Sequence, residues 1–359
     1  MLIVSAALDS RLVELLAAPA PALSCDVAQQ IAREHFGVSG AAAPLGGERD
    51  QNFHIQTPQG PGFVLKIANP LEHSEVTDFQ TQALARIAAR EPDLPVPRVC
   101  ATTSGAAHAS INIGGRQQST VRLLTYLPGV PLAEAPSTPR LRARLGACLA
   151  RMDRALGDFS HPGADRGLLW NMVNAADLAE LMRHIPDAQQ RSIVARYIER
   201  FANVVLPSFP ALRWQVIYND LNPGNVLVDP HEHQRLAGII DFGDMCRAPL
   251  VVDVAIAAAY QLRYTADPFE AATQLVASYH RETPLEDREV DLLYDLVATR
   301  LASAIVITAW HSTLHPDNRD YIMRNAGSNC DLLKRIDETS RGNVQKRMRM
   351  ACQTARPGL

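Results

Sequence analysis

The stretch V-I-Y-N-D-L-N-P-G-N-V-L-V-D (216–229), followed by G-I-I-D-F-G-D (238–244), sets two acids and an amide in the order that phosphoryl transfer requires. Asp220 and Asn225 lie five residues apart on a predicted loop, and Asp241 follows an apolar run that reads as a strand. Phosphoryl transfer needs little covalent help and much positioning and charge neutralisation, so oxygen ligands dominate such sites. Mg2+ is a hard cation that keeps several waters and takes few protein ligands beside phosphate oxygens, a role that suits Asn225 and Asp241. A separate carboxylate must orient the acceptor hydroxyl and take its proton, and Asp220 suits that role. Asp and Asn are also ordinary turn residues. The ordered sequence of apolar 226–228, a turn over 229–233, apolar 236–240 and then D-F-G separates this arrangement from a chance pair.

A second signal is the near absence of lysine. Of 35 Lys and Arg residues only Lys66, Lys334 and Lys346 are lysines, and Lys66 alone lies outside the basic C-terminal stretch. It sits in F-V-L-K-I, a strand-like run. Arginine and lysine are not interchangeable where a compact point charge meets phosphate oxygens, so a solitary lysine among apolar neighbours points to chemistry.

These residues need a scaffold. Helical spacing over 26–36 has Ser24 as its cap, and a turn over 45–52 then leads into N-F-H-I-Q-T. A second turn over 58–62 precedes the lysine strand, so a hairpin is the natural reading. A helix over 77–90 ends before P-D-L-P-V-P, and extended segments near Val99, 110–113 and 119–126 complete a mainly antiparallel sheet. Leu127-Pro-Gly breaks it. Beyond Pro139 the pattern is helical, through 141–156, 178–182, 193–205 and 286–313. The expected class is α+β. A length of 359 residues exceeds the size of one comfortable core and favours two lobes, 1–126 and 127–359.

Together these residues resemble the aminoglycoside phosphotransferase family, kinase-like enzymes that phosphorylate small-molecule hydroxyls, over most of the chain. Y-N-D-L-N-P-G-N is similar to the family's H-G-D-x-x-x-x-N catalytic loop, I-I-D-F-G-D to its D-F-G segment, and F-V-L-K-I to its lysine strand. E-R-D-Q-N-F (48–53), Q-T-Q-A-L (80–84), R-L-L-T-Y-L-P-G (122–129) and D-F-G-D-M (241–245) look closest to the hydroxylysine kinases and related hydroxy-amino-acid and amino-alcohol kinases.

The resemblance implies a protein-kinase-like fold, ATP or GTP as co-substrate with Mg2+, and a small-molecule acceptor. It implies that the turn with Gly46 and Gly47 lies over the nucleotide phosphates, and that the backbone of Leu124, Thr125 and Tyr126 meets the purine. Asp253 would brace the catalytic loop. Gln80 stands near where an acidic partner for Lys66 is expected, with Glu75 and Asp78 as rivals, and Tyr218 replaces the family's histidine, its ring expected to pack on the D-F-G segment. Asp244 could meet a substrate ammonium; Trp170, Arg247 and Arg300 could line the acceptor pocket or simply pack and pair. An aminoglycoside O-phosphotransferase would need a dense acidic acceptor groove, which the sequence lacks. A catalytically silent nucleotide-binding protein is suggested by Tyr218 and Gln80, but Lys66, Asp220, Asn225 and Asp241 argue against it.

A net charge of -3 gives no global attraction to nucleic acid or membrane. Six cysteines without metal-ligand spacing read as reduced packing residues, so a cytoplasmic setting is expected for a monomer or homodimer. No signal peptide is read in 1–8. The apolar runs 251–259 and 292–310 carry Asp253, Asp295 and Arg300 and read as core helices rather than membrane spans.

Overall fold

The computed structural model describes residues 14–15, 18–47, 49–114, 117–323 and 326–355. Residues 1–8 and Glu48, on which two of the readings above fall, lie outside them. Helix α1 (Cys25–Phe36) starts where the Ser24 hydroxyl accepts the Val27 N–H and stops at Gly37, whose φ of 67° is the left-handed conformation that glycine adopts without strain.

The antiparallel strands β1 (Ala41–Leu45), β2 (Gln51–Gln56), β3 (Phe63–Ile67), β4 (Val99–Cys100), β5 (Ala109–Gly114) and β6 (Gln117–Thr125) form one sheet in the order β1-β2-β3-β6-β4, with β5 also on β6. Period-two patterning sends Phe53, Ile55, Leu65, Ile67, Val121 and Leu123 into a small core closed by Ala28, Ile31, Ala32 and Phe36 of α1. Helix α2 (Ser74–Arg90) follows β3, but its Phe79, Ala83, Leu84 and Ile87 join the larger core built by the helices downstream. The sheet is therefore fastened to the rest of the molecule through α2.

After Thr125 the chain runs without regular structure to β7 (Val130–Pro131), which pairs with β9 (Val226–Val228); β9 also pairs with β10 (Leu236–Ile239). Strand β8 (Trp214–Ile217) pairs with β11 (Cys246–Pro249). Around these short ladders pack α3 (Pro139–Leu156), α4 (Ala188–Arg200), α5 (Leu250–Gln261), α6 (Pro268–Glu282) and α7 (Asp287–Leu314), then helices Ala326–Asp337 and Arg341–Ala355. The α+β expectation agrees with this architecture of antiparallel sheet followed by helices. Two stretches expected as α-helix differ: 178–182 falls within a 3-10 helix, Met172–His184, and α4 gives way to a π-turn at Phe201–Val205 and then to a 3-10 helix, Leu206–Ala211, with Pro207 in its first turn.

Helix α5 is buried without a break from Leu250 to Ala259, which fixes it as the axle of the larger core. Helix α7 is long and apolar enough to cross a membrane, yet 83% of its apolar window is buried inside the molecule. Helices α3 and α6 meet at Gly146, where a Cβ would stand 2.3 Å from the Leu275 carbonyl oxygen.

Candidate active site

Strand β8 delivers the chain to Tyr218, Asn219 and Asp220. The first turn of α5 holds this backbone: the Asp253 carboxylate accepts the N–H groups of Tyr218 (2.8 Å) and Asn219 (2.9 Å). Behind Asp253 lies Asp153, which accepts the Tyr279 hydroxyl (2.6 Å). Burial, and then the Asp253 charge, raise the Asp153 carboxyl well above the usual range, so the two carboxyls share a proton between them. Asn219 has φ 68°, a left-handed turn at the position where the family motif has glycine. Asparagine tolerates that region, and here its amide also donates to the Asp244 carbonyl at 3.0 Å. Tyr218 is fully buried; its hydroxyl donates to the Ile240 carbonyl and its ring meets Phe242 edge-on, 5.0 Å between centroids. The tyrosine thus packs on the D-F-G segment as expected of the ring at this position.

Asp220 sits at the centre. Its Oδ2 accepts from Asn222 (2.9 Å) and Asn225 (2.7 Å), and the Arg300 guanidinium lies 3.6 Å from Oδ1. Burial, then the neighbouring Asp244 carboxylate, push the Asp220 carboxyl up to about 8 against the pull of Arg300 and Asn222. The β9–β10 ladder continues one step, with the Ile240 N–H donating to the Asn225 carbonyl (2.9 Å), and this sets Asn225 beside Asp241. Asp241, at φ 58°, accepts the Gly243 N–H. Lys66, 3.9 Å away, holds its carboxyl below the usual range.

The donor chemistry fits a hard cation. Asn225 spends its amide N–H on Asp220, which leaves its carbonyl oxygen beside an anionic Asp241. Among the described residues no cluster of three His, Cys, Asp or Glu competes as a metal site.

A cleft of about 380 Å³ opens between the sheet and the D-F-G segment, lined among others by Gly46, Lys66, Gln80, Leu124, Tyr126 and Asp241. Gly47 shapes the turn above it, since a Cβ there would lie 2.3 Å from the Asp50 carbonyl oxygen, whereas Gly46 faces open space. The partner expected for Lys66 differs. Its ammonium lies 3.7 Å from Asp50, on the β1–β2 turn, and near Asp241, not on Gln80. Gln80 instead accepts from Arg122 (2.8 Å) and donates to the Gly243 carbonyl (3.2 Å). The register explains why: Arg122 lies directly opposite Lys66 in the β3–β6 ladder and, being buried, takes the amide that Lys66 would have used. The rivals are also elsewhere, Glu75 exposed at the start of α2 and Asp78 paired with His161 at 3.1 Å. At the end of β6, the N–H groups of Thr125 and Tyr126 are already taken by the carbonyls of Arg98 and Gly62.

Of the acceptor-side candidates, Asp244 pairs with Arg49 at 2.8 Å, and Arg300 lies over the rings of Trp170 (4.8 Å) and Tyr260 (5.9 Å), all around Asp220. Arg247 is not brought there. It stacks on Trp214 and lies 3.8 Å from Asp165, in a separate groove alongside residues 157–162, because alternation on β11 turns it away from the catalytic loop.

The model of the phosphotransferase enzyme family (APH) matches residues 41–290, which holds every element of this site except Arg300. The chain belongs to this family. It is 30% identical over 349 residues to a hydroxylysine kinase from Xenopus laevis, covering 91% of this chain and 93% of the relative. Its fold resembles that of an amicoumacin kinase solved with AMP-PNP, Ca2+ and its ligand Ami (TM-score 0.66, 15% identity, 89% of this chain and 95% of that one). It also resembles a microcompartment-associated aminopropanol kinase (TM-score 0.63, 18% identity, 88% and 98%). The protein is therefore a phosphotransferase acting on hydroxyl groups, a small-molecule kinase with the protein-kinase-like fold.

Within this APH-family site, sequence reasoning did not find Asp50, Arg122, Arg49 or Tyr260. Arg49, Asp50 and Arg122 lay inside the strings that carry the family resemblance, and their charge was the available signal. Tyr260 offered none, since an aromatic on an apolar helix reads as core.

Proposed function

We propose that this kinase transfers the terminal phosphate of ATP or GTP, with Mg2+, to a hydroxyl of an amino-bearing metabolite, hydroxylysine being the first choice of acceptor. The observation that carries this reading is Asp220, a half-buried carboxylate oriented by two amides, one of them from the candidate metal residue Asn225, with the Arg300 guanidinium 3.6 Å from its other oxygen. In its ionised form Asp220 would accept the hydroxyl proton as the new O–P bond forms and the bond to the leaving nucleoside diphosphate breaks. Asn225 and Asp241 would hold Mg2+, which when bound neutralises phosphate charge. Lys66 and Arg122, both lining the cleft, would meet phosphate oxygens, with Gly46 and Gly47 above them.

The purine would lie against 124–127, using carbonyl groups and the Leu127 N–H, since the Thr125 and Tyr126 N–H groups are engaged. The division at 126/127 would then separate a nucleotide lobe from an acceptor lobe. Similarity to hydroxylysine kinase along nearly the whole chain supports the acceptor class.

The test is a panel of hydroxy amino acids, amino alcohols and aminoglycosides with Mg-ATP or Mg-GTP, reading nucleoside diphosphate release. Hydroxylysine should give the highest kcat/KM. Asp220→Asn should lower kcat by about 10²–10⁴-fold with nucleotide affinity nearly unchanged, whereas Asp241→Ala should weaken metal-nucleotide binding. Full turnover in Asp220→Asn would remove the base assignment.

A further inference from the structure

Among the described residues three arginines are almost wholly buried, Arg122, Arg142 and Arg300, at 3%, 3% and 4% exposure. A buried guanidinium is tolerated when its fork of N–H donors is satisfied. Arg142, away from the site, follows the rule, with Nε on Gln274 (2.8 Å) and Nη1 on both the carbonyl and hydroxyl of Ser137 (3.0 Å each). Arg300 leaves its Nε without a partner, and Arg122 makes a side-chain hydrogen bond to Gln80; both stand beside the candidate catalytic residues. Arg122 lines the nucleotide cleft, where phosphate oxygens would complete it. Arg300 does not line that cleft and lies on the acceptor side of Asp220.

Its pairing is thin. Nη1 reaches the Trp170 carbonyl at 3.4 Å and Nη2 the Tyr260 hydroxyl at 3.2 Å, both at the long end of hydrogen bonding, and Nε has no partner. The Asp220 carboxylate, at 3.6 Å, is outside hydrogen-bond range. Trp170 and Tyr260 cover the faces of the guanidinium, so a partner can approach it only in its own plane. A planar edge of N–H donors matches a carboxylate.

From this we infer that Arg300 is the residue that reads the acceptor's carboxylate, so that the preferred acceptors are free hydroxy amino acids rather than amino alcohols or aminoglycosides. The inference rests on the proposed small-molecule acceptor site and names its specificity. The geometry also limits acceptor length. A hydroxyl hydrogen-bonded to Asp220 and a carboxylate hydrogen-bonded to Arg300 Nη2 lie within about 9 Å of each other, the span of a short aliphatic amino acid. Trp170 and Tyr260 act through Arg300 and are positioning residues.

The experiment is calorimetric titration of the protein loaded with Mg2+ and a non-hydrolysable ATP analogue, using hydroxylysine and its carboxamide, which keeps the hydroxyl and amines and removes the charge. Wild type should bind the acid at least about 10-fold more tightly than the carboxamide, the scale of a charge-assisted pair. Arg300→Met should bring that ratio to about one, and Arg300→Lys, which keeps charge but loses the fork, should fall between. The ratio separates recognition from structure, because a merely structural arginine would lower both affinities together. Equal binding of acid and carboxamide by the wild type, which needs no variant to fold, overturns the inference. So does an unchanged ratio in Arg300→Met alongside weakened nucleotide binding, which would assign the arginine to phosphate instead. Carboxylate preference without phosphate transfer to the acid would sustain the carboxylate site and refute the proposed reaction.

Discussion

Replacing Tyr218 by phenylalanine isolates one hydroxyl in the wall between the catalytic loop and the D-F-G segment. The ring is fully buried, and its edge-on contact with Phe242 at 5.0 Å survives the change, so the packing contribution is retained. What is lost is the donor to the Ile240 carbonyl, in the peptide immediately before Asp241. A carbonyl left without its partner at this half-buried position costs about 1–2 kcal/mol. In a chain of this size that corresponds to a fall of roughly 1–3 °C in Tm. Freed from the tyrosine, Ile240 holds Asp241 less firmly, and turnover should drop by about 3–10-fold, equivalent to roughly 0.7–1.4 kcal/mol of barrier. Tyr218→His, the family residue, can donate from a ring N–H to the same carbonyl and should recover part of both losses. Denaturant unfolding and diphosphate release measured on the same samples decide the matter. Loss of about 10³-fold or more in turnover with wild-type stability would refute the reasoning, since it would put the hydroxyl in the chemistry rather than in the wall.

Asp153→Asn should flatten the pH dependence of stability. The folded-state carboxyl is raised by burial and by Asp253, so its contribution is fully present below the unfolded value of about 4 and is lost as pH rises toward the folded one. An amide stays neutral and can still donate to Asp253, so the variant should gain on the wild type steadily as pH rises above about 4; a pH-independent difference in unfolding free energy would contradict the shared proton. Gly146→Ala should destabilise by about 1–3 kcal/mol, because its Cβ would meet the backbone at Leu275 and Tyr279 rather than movable side-chain ends. Equal denaturation midpoints for variant and parent would show that α3 and α6 can separate without penalty.

The parts of this molecule legible in the sequence were those whose signal is local. Val226–Val228 and the turn after it, the helix capped by Ser24, and the strand around Lys66 each follow from a short pattern and its breakers. The same holds for the spacing of Asp220 and Asn225, because both sit on one loop. Arg247 and Arg300 looked alike as isolated arginines, and only the fold separates them. One is on a strand whose alternation sends it outward; the other is on the buried face of α7, over a tryptophan 130 residues earlier in the chain. No window of sequence contains that contact.

The glutamine at position 80 shows how such a distant contact can still leave a local trace. A glutamate there would have served Lys66, and its absence looked like a defect in the phosphate site. The ladder instead sets Arg122 opposite Lys66, so two cations face one cleft, and Asp50 and Asp241 supply the charge nearest the lysine. An acid at position 80 would add a third carboxylate beside the Gly243 carbonyl, whereas an amide can accept from Arg122 and donate to Gly243 at once. The substitution therefore trades a charged partner for a bridge among sheet, α2 and the metal-side loop. Two cations held without a neutralising glutamate also leave more positive field in the cleft, where the proposed nucleotide would place its phosphate oxygens.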